Sequence, residues 1–170
     1  MDGADIIFLC VLPPDAESVL ESLAFDPERH VLVSLVSTAD LATLRRASGL
    51  PSGRVFKMNC LPAVAEHRGT CLLTPPADDF PALRALADHL GGIVECPTEA
   101  GFRSLMVPSG LMGPFYGLLR HHRDWLVERG CEERDAAEMV CRTYENMLAD
   151  ARSKAKAGRS LEDLIAEQTP

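Results

Sequence analysis

Cysteine and histidine are the residue types in this 170-residue chain that most readily suggest chemistry. The six cysteines are widely spaced and form no C-x-x-C pair, so their spacing gives little support to a zinc site. One set, Cys60, His67 and Cys71, is close enough in sequence to share a metal ion, but it lacks a fourth ligand. We therefore predict no metal, and we expect the cysteines to be free thiols that pack as small hydrophobic residues.

A second candidate for chemistry is the charged run Glu66-His67-Arg68, which follows a predicted strand. Open α/β sheets bind ligands just beyond the ends of their strands, where Arg68 could meet a carboxylate or a cofactor phosphate. A solvated loop explains the same residues. The sequence leaves both interpretations open.

Charge and hydropathy exclude several classes of protein. The formal net charge of −8 disfavours nucleic-acid binding, which normally needs a basic surface. No apolar run approaches the roughly 18 residues of a membrane span. The first five residues are acidic where a secretion signal would be basic. We therefore predict a soluble, cytoplasmic protein that binds neither nucleic acid nor membrane.

The elements that must position any site alternate between strand and helix over the first 98 residues. Apolar strands are predicted at residues 5–12, 30–36, 54–58, 70–74 and 93–96. Helices are predicted to begin near residues 15, 37–38 and 78–79. Because the strands are apolar throughout, they predict an α/β fold with a mostly parallel sheet covered on both faces.

The remainder of the chain has a helical pattern. Helices are predicted at residues 98–130, at residues 132–157 and from residue 160 onward. Pro108 and Pro114 predict that the first of these helices is kinked or interrupted. We therefore predict two domains, an α/β domain at residues 1–98 and a helical domain at residues 99–170. The aromatic residues Tyr116 and Trp125 are expected to pack in a core or an interface.

Five segments carry a resemblance to a known family. They are the strand ending in Val11-Leu12-Pro13, the strand at residues 32–36, the segment at residues 55–63, the segment Gly110–Tyr116 and the segment at residues 160–170. In the same order they resemble segments of the pyrroline-5-carboxylate reductase family. Its counterparts include a strand ending in Val-Lys-Pro, a Met-Pro-Asn-Thr-Pro-Ala segment beside the nicotinamide, and Ser-Gly-Ser-Gly-Pro-Ala-Tyr at the dimerisation helix. The resemblance implies a partial doubly wound, Rossmann-like sheet followed by an all-helical dimerisation domain, and hence a homodimer.

The same resemblance implies an activity and a set of site residues. The activity is the reduction of a cyclic imino acid, such as a pyrroline carboxylate, to proline with NADP or NAD as the cofactor. Carried over position by position, the motifs place Val11, Leu12, Pro13, Asn59 and Cys60 at the cofactor. They place Val107, Gly110, Leu111 and Met112 at the substrate. No catalytic residue is assigned, and Ser109, one position away from the family's serines, is the only candidate.

The departures from the family pattern leave other hypotheses open. The chain has no G-x-G-x-x-G turn, and Leu12, Cys60 and Val107 stand where the family has lysine, asparagine and threonine. We expect the chain to begin after the family's first β-α-β unit and to end just before its last helix. One alternative is a non-catalytic homodimeric module that kept the fold and lost the cofactor site. Another is a β-hydroxyacid or 6-phosphogluconate-type dehydrogenase, although no Lys-x-x-Asn pair is present.

The strand at residues 5–12 has a consequence for assembly. In the family's sheet it lies beside the first strand, which this chain is expected to lack. An apolar strand with a bare edge promotes aggregation. We predict that this edge is paired in any stable form, whether by a second copy, by another polypeptide or by a longer version of the chain.

Overall fold

The structure is a computed structural model that describes residues 3–168. Its strands are β1 (Ile6–Leu9), β2 (Val31–Ser34), β3 (Val55–Cys60), β4 (Cys71–Thr74) and β5 (Ile93–Glu95). Its helices are α1 (Ala16–Glu21), α2 (Leu41–Ser48), α3 (Pro81–His89), α4 (Glu99–Met106), α5 (Met112–Val127), α6 (Glu133–Lys156) and α7 (Leu161–Gln168). The predicted alternation of strands and helices, followed by helices alone, is confirmed.

The five strands form one sheet in the order β1-β2-β3-β4-β5. All neighbouring pairs are parallel except β3 and β4, which are antiparallel, so the predicted mostly parallel sheet is confirmed. β1 ends at Leu9 rather than at residue 12, because Pro13 and Pro14 begin a short 3-10 turn. β3 continues to Cys60, two residues beyond its predicted end, and so includes Asn59 and Cys60 in its ladder with β4.

Helices cover both faces of the sheet, as the apolar strands require. On one face, α1 and α2 bury Leu20 and Leu44 against strand residues such as Val55. On the other face, α3 buries Leu83 against a cluster that includes Phe56. A smaller cluster of Leu72, Cys96 and Phe102 holds α4 against β4. Burial of this apolar surface is the main favourable term for folding.

Two helices begin later than the sequence predicted. α2 was expected to begin at Ser37 or Thr38, but its N-cap is Asp40, whose carboxylate accepts a hydrogen bond from Thr43 N at 2.7 Å. α3 was expected to begin at Asp78 or Asp79, and it begins instead at Pro81. Proline suits the first helical position and disfavours helical geometry in the residue before it, which explains the later start of α3.

The long helix predicted at residues 98–130 is divided once. Its start at Thr98 is confirmed, because the Thr98 hydroxyl accepts a hydrogen bond from Gly101 N at 3.1 Å. A 3-10 turn at Val107–Leu111 separates α4 from α5, and Pro108 stands within it. At Pro114 the predicted interruption is wrong, because α5 continues through this residue, and a kink there stays a prediction. That proline lies in the first turn of α5, where a helix does not need its N–H group.

The chain divides into two compact units, one up to Gly110 and one from Leu111 onward. α4 belongs to the first unit, whereas in the second unit α5 and α7 each pack along α6. The domain boundary predicted at residue 98 rests on the change of element type, and it stays a prediction. Among the described residues, no helix has the length and the apolar content that crossing a membrane requires.

β1 lies at one end of the sheet and pairs only with β2 among the described strands. Its exposed Phe8 extends the apolar surface at this edge. The predicted pairing of the edge with a further strand stays a prediction.

Two consecutive glycines after α3 offer a test of the packing beneath this helix. Gly91 and Gly92 have similar positive φ angles of 125° and 128°, which strain any other residue. A Cβ atom on Gly91 would clash with the backbone oxygen of Gly69, whereas one on Gly92 would meet nothing within 4 Å. We therefore expect G91A to lower the free energy of unfolding by about 1–3 kcal/mol more than G92A does. Hydrogen exchange of the β4 amides measures the difference, and equal effects would contradict the close approach.

Candidate functional site

The candidate site begins where β3 leaves the sheet. Asn59, near the end of β3, donates from its side-chain amide to the Ser109 hydroxyl oxygen at 3.3 Å. The Ser109 hydroxyl in turn donates to the Met106 carbonyl oxygen at 2.6 Å. The structure thus joins one predicted cofactor residue to the predicted catalytic candidate. The Ser109 oxygen binds the Asn59 amide, while the Ser109 proton is directed at the Met106 carbonyl. Ser109 therefore positions Asn59, and a role of Ser109 in protonating a substrate stays a prediction.

A cleft of about 290 Å³ opens beside this pair within the first unit. Its lining is mainly apolar and comes from the ends of β3, β4 and β5 and from the α4–α5 connection: Asn59, Cys60, Leu61, Thr70, Leu72, Val94, Leu105, Pro108 and Ser109. The volume is just under the roughly 300–1,000 Å³ that is typical of pockets for drug-sized ligands. A small molecule with one polar end fits such a lining.

The predicted substrate residues are close to Ser109 in the sequence, but none of them lines this cleft. Val107 and Gly110 are exposed residues of the 3-10 turn. Leu111 and Met112 belong to the second unit, where Leu111 is the N-cap of α5 and its side chain makes no capping hydrogen bond. Their role in binding a substrate stays a prediction.

The predicted cofactor residues after β1 lie at the carboxyl end of that strand. Val11 packs against the core beneath α1 and α2, whereas Leu12 is largely exposed. Pro13 begins the 3-10 turn that leads to Asp15, the N-cap of α1. Their contact with a cofactor stays a prediction.

A buried charged pair, which the sequence analysis missed, lies next to this edge of the sheet. The Lys57 side chain is only 1% exposed, and its Nζ donates to Glu99 Oε1 at 2.8 Å and to the Ser37 carbonyl oxygen at 3.1 Å. Its ammonium also lies 5.4 Å from the centre of the Phe102 ring. The one available signal was a lysine within the apolar strand Val55–Cys60, because a buried lysine needs a partner.

Glu99 ties this pair to two helices. Its carboxylate accepts a hydrogen bond from Leu41 N, with both oxygens at 3.3 Å, and lies 3.5 Å from the Arg103 guanidinium. Burial by itself raises the pKa of Glu99. The hydrogen bonds from Lys57 and Leu41 N and the charges of Lys57 and Arg103 outweigh it, so that the pKa falls below its usual 4.5. Glu99 is therefore a carboxylate at neutral pH, and it joins β3, α2 and α4.

The N–H groups at the N-terminus of α2 are one place where the described residues could bind the phosphates of a dinucleotide. In Rossmann-like sheets, helix N-termini at this edge bind the anionic phosphates of the cofactor. Here the Asp40 carboxylate accepts from Thr43 N, a hydrogen bond that lowers the pKa of Asp40, and Glu99 accepts from Leu41 N. Two carboxylates of the protein thus already accept hydrogen bonds from the first turn of α2, and their negative charge does not suit an anionic phosphate at this helix end.

The turn after β1 is the second position that could bind a phosphate, and it is not suited to one either. Pro13 and Pro14 have no N–H groups to donate, and Asp15 is negatively charged. Residues 3–168 therefore do not fit the pyrophosphate of a dinucleotide at either position.

The charged run at residues 66–68 lies in an exposed turn. The Glu66 carboxylate and the Arg68 guanidinium are 3.9 Å apart, and both side chains are largely exposed. His67 Nδ1 lies 3.0 Å from the His89 carbonyl oxygen. Within residues 3–168, no three histidine, cysteine, aspartate or glutamate side chains are placed to hold a metal ion.

Comparison with known proteins agrees with this architecture. No protein-family model matches the chain, and no curated protein matches it in sequence. Solved structures do match, and the fold is that of the pyrroline-5-carboxylate reductases. The predicted resemblance to that family is therefore confirmed for the fold.

Three of the matching structures show the extent of the likeness. The 1-pyrroline-5-carboxylate reductase of Streptococcus pyogenes has a TM-score of 0.79 and 20% identity, over 99% of this chain and 64% of its own. The Plasmodium falciparum pyrroline carboxylate reductase, with NADP bound, has a TM-score of 0.80 and 17% identity, over 98% and 64%. A Streptomyces aurantiacus imine reductase has a TM-score of 0.57 and 17% identity, over 92% and 59%. This chain thus spans less than two thirds of the length of these structures.

Proposed function

We propose that this protein is a pyrroline-5-carboxylate reductase-like protein that binds a small cyclic imino acid in the cleft beside Asn59. The observation that carries the proposal is the Asn59–Ser109 hydrogen bond, which places a polar group at the end of a small, mainly apolar cleft. An apolar lining suits the ring of a pyrroline carboxylate, and the amide offers a partner for its polar atoms.

The reaction that we propose for this protein, from its likeness to reductases, is the reduction of a C=N bond by NAD(P)H, the step that forms proline. Because Asp40 and Glu99 occupy the N-terminus of α2, we propose that residues 3–168 do not hold the cofactor's pyrophosphate by themselves. Oxidoreductase activity, use of NADP or NAD and a role in proline biosynthesis are therefore proposed only for an assembly in which other residues hold the phosphates. A cytoplasmic location suits the free cysteines, because thiols persist in reducing compartments.

The second candidate function is a non-catalytic homodimeric module that binds a small acid or a partner protein. The occupied N-terminus of α2 favours this alternative as well. The two candidates differ in whether the cleft recognises a cyclic imino acid in particular or instead another small acid or a partner protein, and this is what the first experiment measures.

Titration of the purified protein tests both candidates. We expect a pyrroline carboxylate to release or absorb heat on binding in calorimetry, and N59A to weaken the binding about tenfold through loss of one hydrogen bond. N146A, which removes the same side chain from α6, serves as the matched control and leaves the affinity unchanged. Absence of imino acid binding would favour the non-catalytic module.

NADPH fluorescence separates the question of the cofactor from that of the substrate. We expect no change in NADPH fluorescence on addition of the protein, even at about millimolar cofactor, and no turnover of pyrroline carboxylate. Tight binding of NADPH together with turnover would show that the chain holds the whole cofactor, contrary to the interpretation of α2.

We further propose that the second unit forms a homodimer. α5 and α6 leave large apolar side chains exposed, among them Tyr116, Leu118, Trp125, Met139 and Met147. A groove of about 220 Å³ between the two helices is lined by His122, Trp125, Leu126, Met139, Val140, Thr143 and Tyr144. Contiguous apolar surfaces of this kind are typical of interfaces, and a second copy of the same helices matches them through two-fold symmetry.

A further inference from the structure

Two cysteines face each other across the antiparallel pair of strands. In the β3–β4 ladder, Cys60 lies directly opposite Cys71. Cys71 N donates to the Gly92 carbonyl oxygen at 2.8 Å, on the β5 side of β4, so the backbone groups of Cys71 point away from β3. Cys60 and Cys71 therefore form a non-hydrogen-bonded pair, for which the Cα atoms lie about 4.5 Å apart and the side chains share one face.

This separation suits a disulfide bond. Disulfides join residues whose Cα atoms lie about 4.4–6.8 Å apart. Cys71 is part of the core cluster beneath α3, and Cys60 packs against the same cluster from the end of β3. Both thiols thus lie on one side of the sheet, and the bond can form without a change of strand register.

The surroundings of the two thiols differ in access to solvent. Cys71 is fully buried, whereas Cys60 is partly exposed. Burial, with a smaller effect of the neighbouring Cys60, raises the pKa of the Cys71 thiol to about 11. Burial and the exposed Cys10 raise the pKa of Cys60 as well. At neutral pH both groups are thiols, and Cys60 is the one that a soluble oxidant can reach.

We propose that Cys60 and Cys71 form a redox-active dithiol, which a low-molecular-weight disulfide such as oxidised glutathione converts to a cross-strand disulfide. The Cys60 thiolate attacks oxidised glutathione, forming a mixed disulfide and releasing one glutathione thiolate. The Cys71 thiolate then attacks Cys60 Sγ, forming the Cys60–Cys71 bond and releasing the second glutathione. The two cysteines lose two electrons, their protons pass to solvent, and the oxidant becomes two glutathione molecules.

The bond has a local structural consequence. Asn59 and Leu72, each adjacent to one of the cysteines, line the candidate cleft from β3 and β4. A covalent link between these strands fixes the part of the sheet from which Asn59 reaches Ser109. The inference does not depend on the identity of the ligand, because the bond is detected by its mass.

Peptide mapping without reduction tests the proposal on the wild-type protein. The protein is incubated with defined ratios of oxidised to reduced glutathione, quenched in acid, alkylated and cut with trypsin. Cleavage after Lys57, Arg68 and Arg84 separates the two cysteines into peptides 58–68 and 69–84. We expect these peptides to appear joined, two hydrogen atoms lighter than their sum. Because the thiolate is the attacking species, the rate should rise about tenfold per pH unit between pH 7 and pH 9.

Variants and competing products make the test decisive. C60S should leave Cys71 reduced, whereas C141S, which removes an exposed thiol of α6, should leave the joined peptides unchanged. Should C60S fail to fold, the wild-type map decides alone. The proposal is overturned if Cys60 and Cys71 are both alkylated under conditions in which Cys141 is fully glutathionylated. Bonding of Cys60 to Cys10, or a stable mixed disulfide at Cys60, overturns it equally.

Discussion

Replacing Glu99 with alanine is expected to lower the free energy of unfolding of the first unit, which ends at Gly110, by about 3–5 kcal/mol, the usual cost of leaving one partner of a buried ion pair alone. The Lys57 ammonium, whose side chain is only 1% exposed, would retain the Ser37 carbonyl and lose its counter-charge. Leu41 N would lose its acceptor at the same time. Hydrogen exchange of the β3 amides measures the effect within the unit that contains the pair.

The matched control for this prediction is another glutamate in an ion pair. Glu17 pairs with Arg46 at 2.8 Å, but both side chains are largely exposed. Exposed pairs contribute about 0–1 kcal/mol, so E17A should have little effect. If E99A costs no more than E17A, then water or another group compensates Lys57, and the pair does not join the elements as described.

The pH dependence gives the same prediction a second readout. The pKa of Glu99 is lowered in the folded state from its usual 4.5, so its contribution is complete above that value and is lost as the pH falls through the folded pKa. E99Q, which cannot ionise, lacks this contribution at every pH. The difference in unfolding free energy between wild type and E99Q should therefore be largest near neutral pH and should shrink below about pH 4.5.

The sequence alone predicts the strands of this protein well, because each is a short apolar run that ends at a turn. Residues 30–36 are an example, since the pattern needs no knowledge of neighbouring elements to indicate a buried strand. Helix starts are harder to predict. Ser37 and Asp40 are both residue types that cap helices well. Which of them begins α2 depends on Lys57, which lies on β3 and donates a hydrogen bond to the Ser37 carbonyl oxygen.

The candidate site was harder to predict than the strands, because it is formed by contacts between residues far apart in the sequence. Asn59 was singled out by its place in a motif and Ser109 by its nearness to another, but nothing in either segment shows that the two side chains meet. Lys57 and Glu99 are 42 residues apart, and Cys60 and Cys71 face each other only in one register of an antiparallel pair. Which of these distant residues meet depends on how the strands pair and how the helices pack, and local patterns of hydrophobicity do not contain that information.

The second large effect is expected at the groove between α5 and α6. Trp125 and Met139 contact opposite sides of this groove and are 50% and 63% exposed, so the chain alone leaves much of their apolar surface in water. The Arg129 guanidinium lies 3.6 Å from the centre of the Trp125 ring and holds the indole in place. A fixed aromatic side chain beside a flexible methionine is a frequent centre of binding energy in interfaces.

We therefore expect the wild-type protein to be a dimer at micromolar concentration, and M139E to weaken self-association about 30-fold or more, since a charge at the centre of an apolar interface costs at least about 2 kcal/mol. Analytical ultracentrifugation over a range of concentrations measures both results. S153E, which adds the same charge at an exposed position of α6, is the matched control and should remain dimeric. A monomeric wild type would contradict the homodimer, whereas a fully dimeric M139E would place the interface on another face of the helices. The α5–α6 groove is the specific surface under test, because it brings the exposed indole and thioether together within a single unit of the chain.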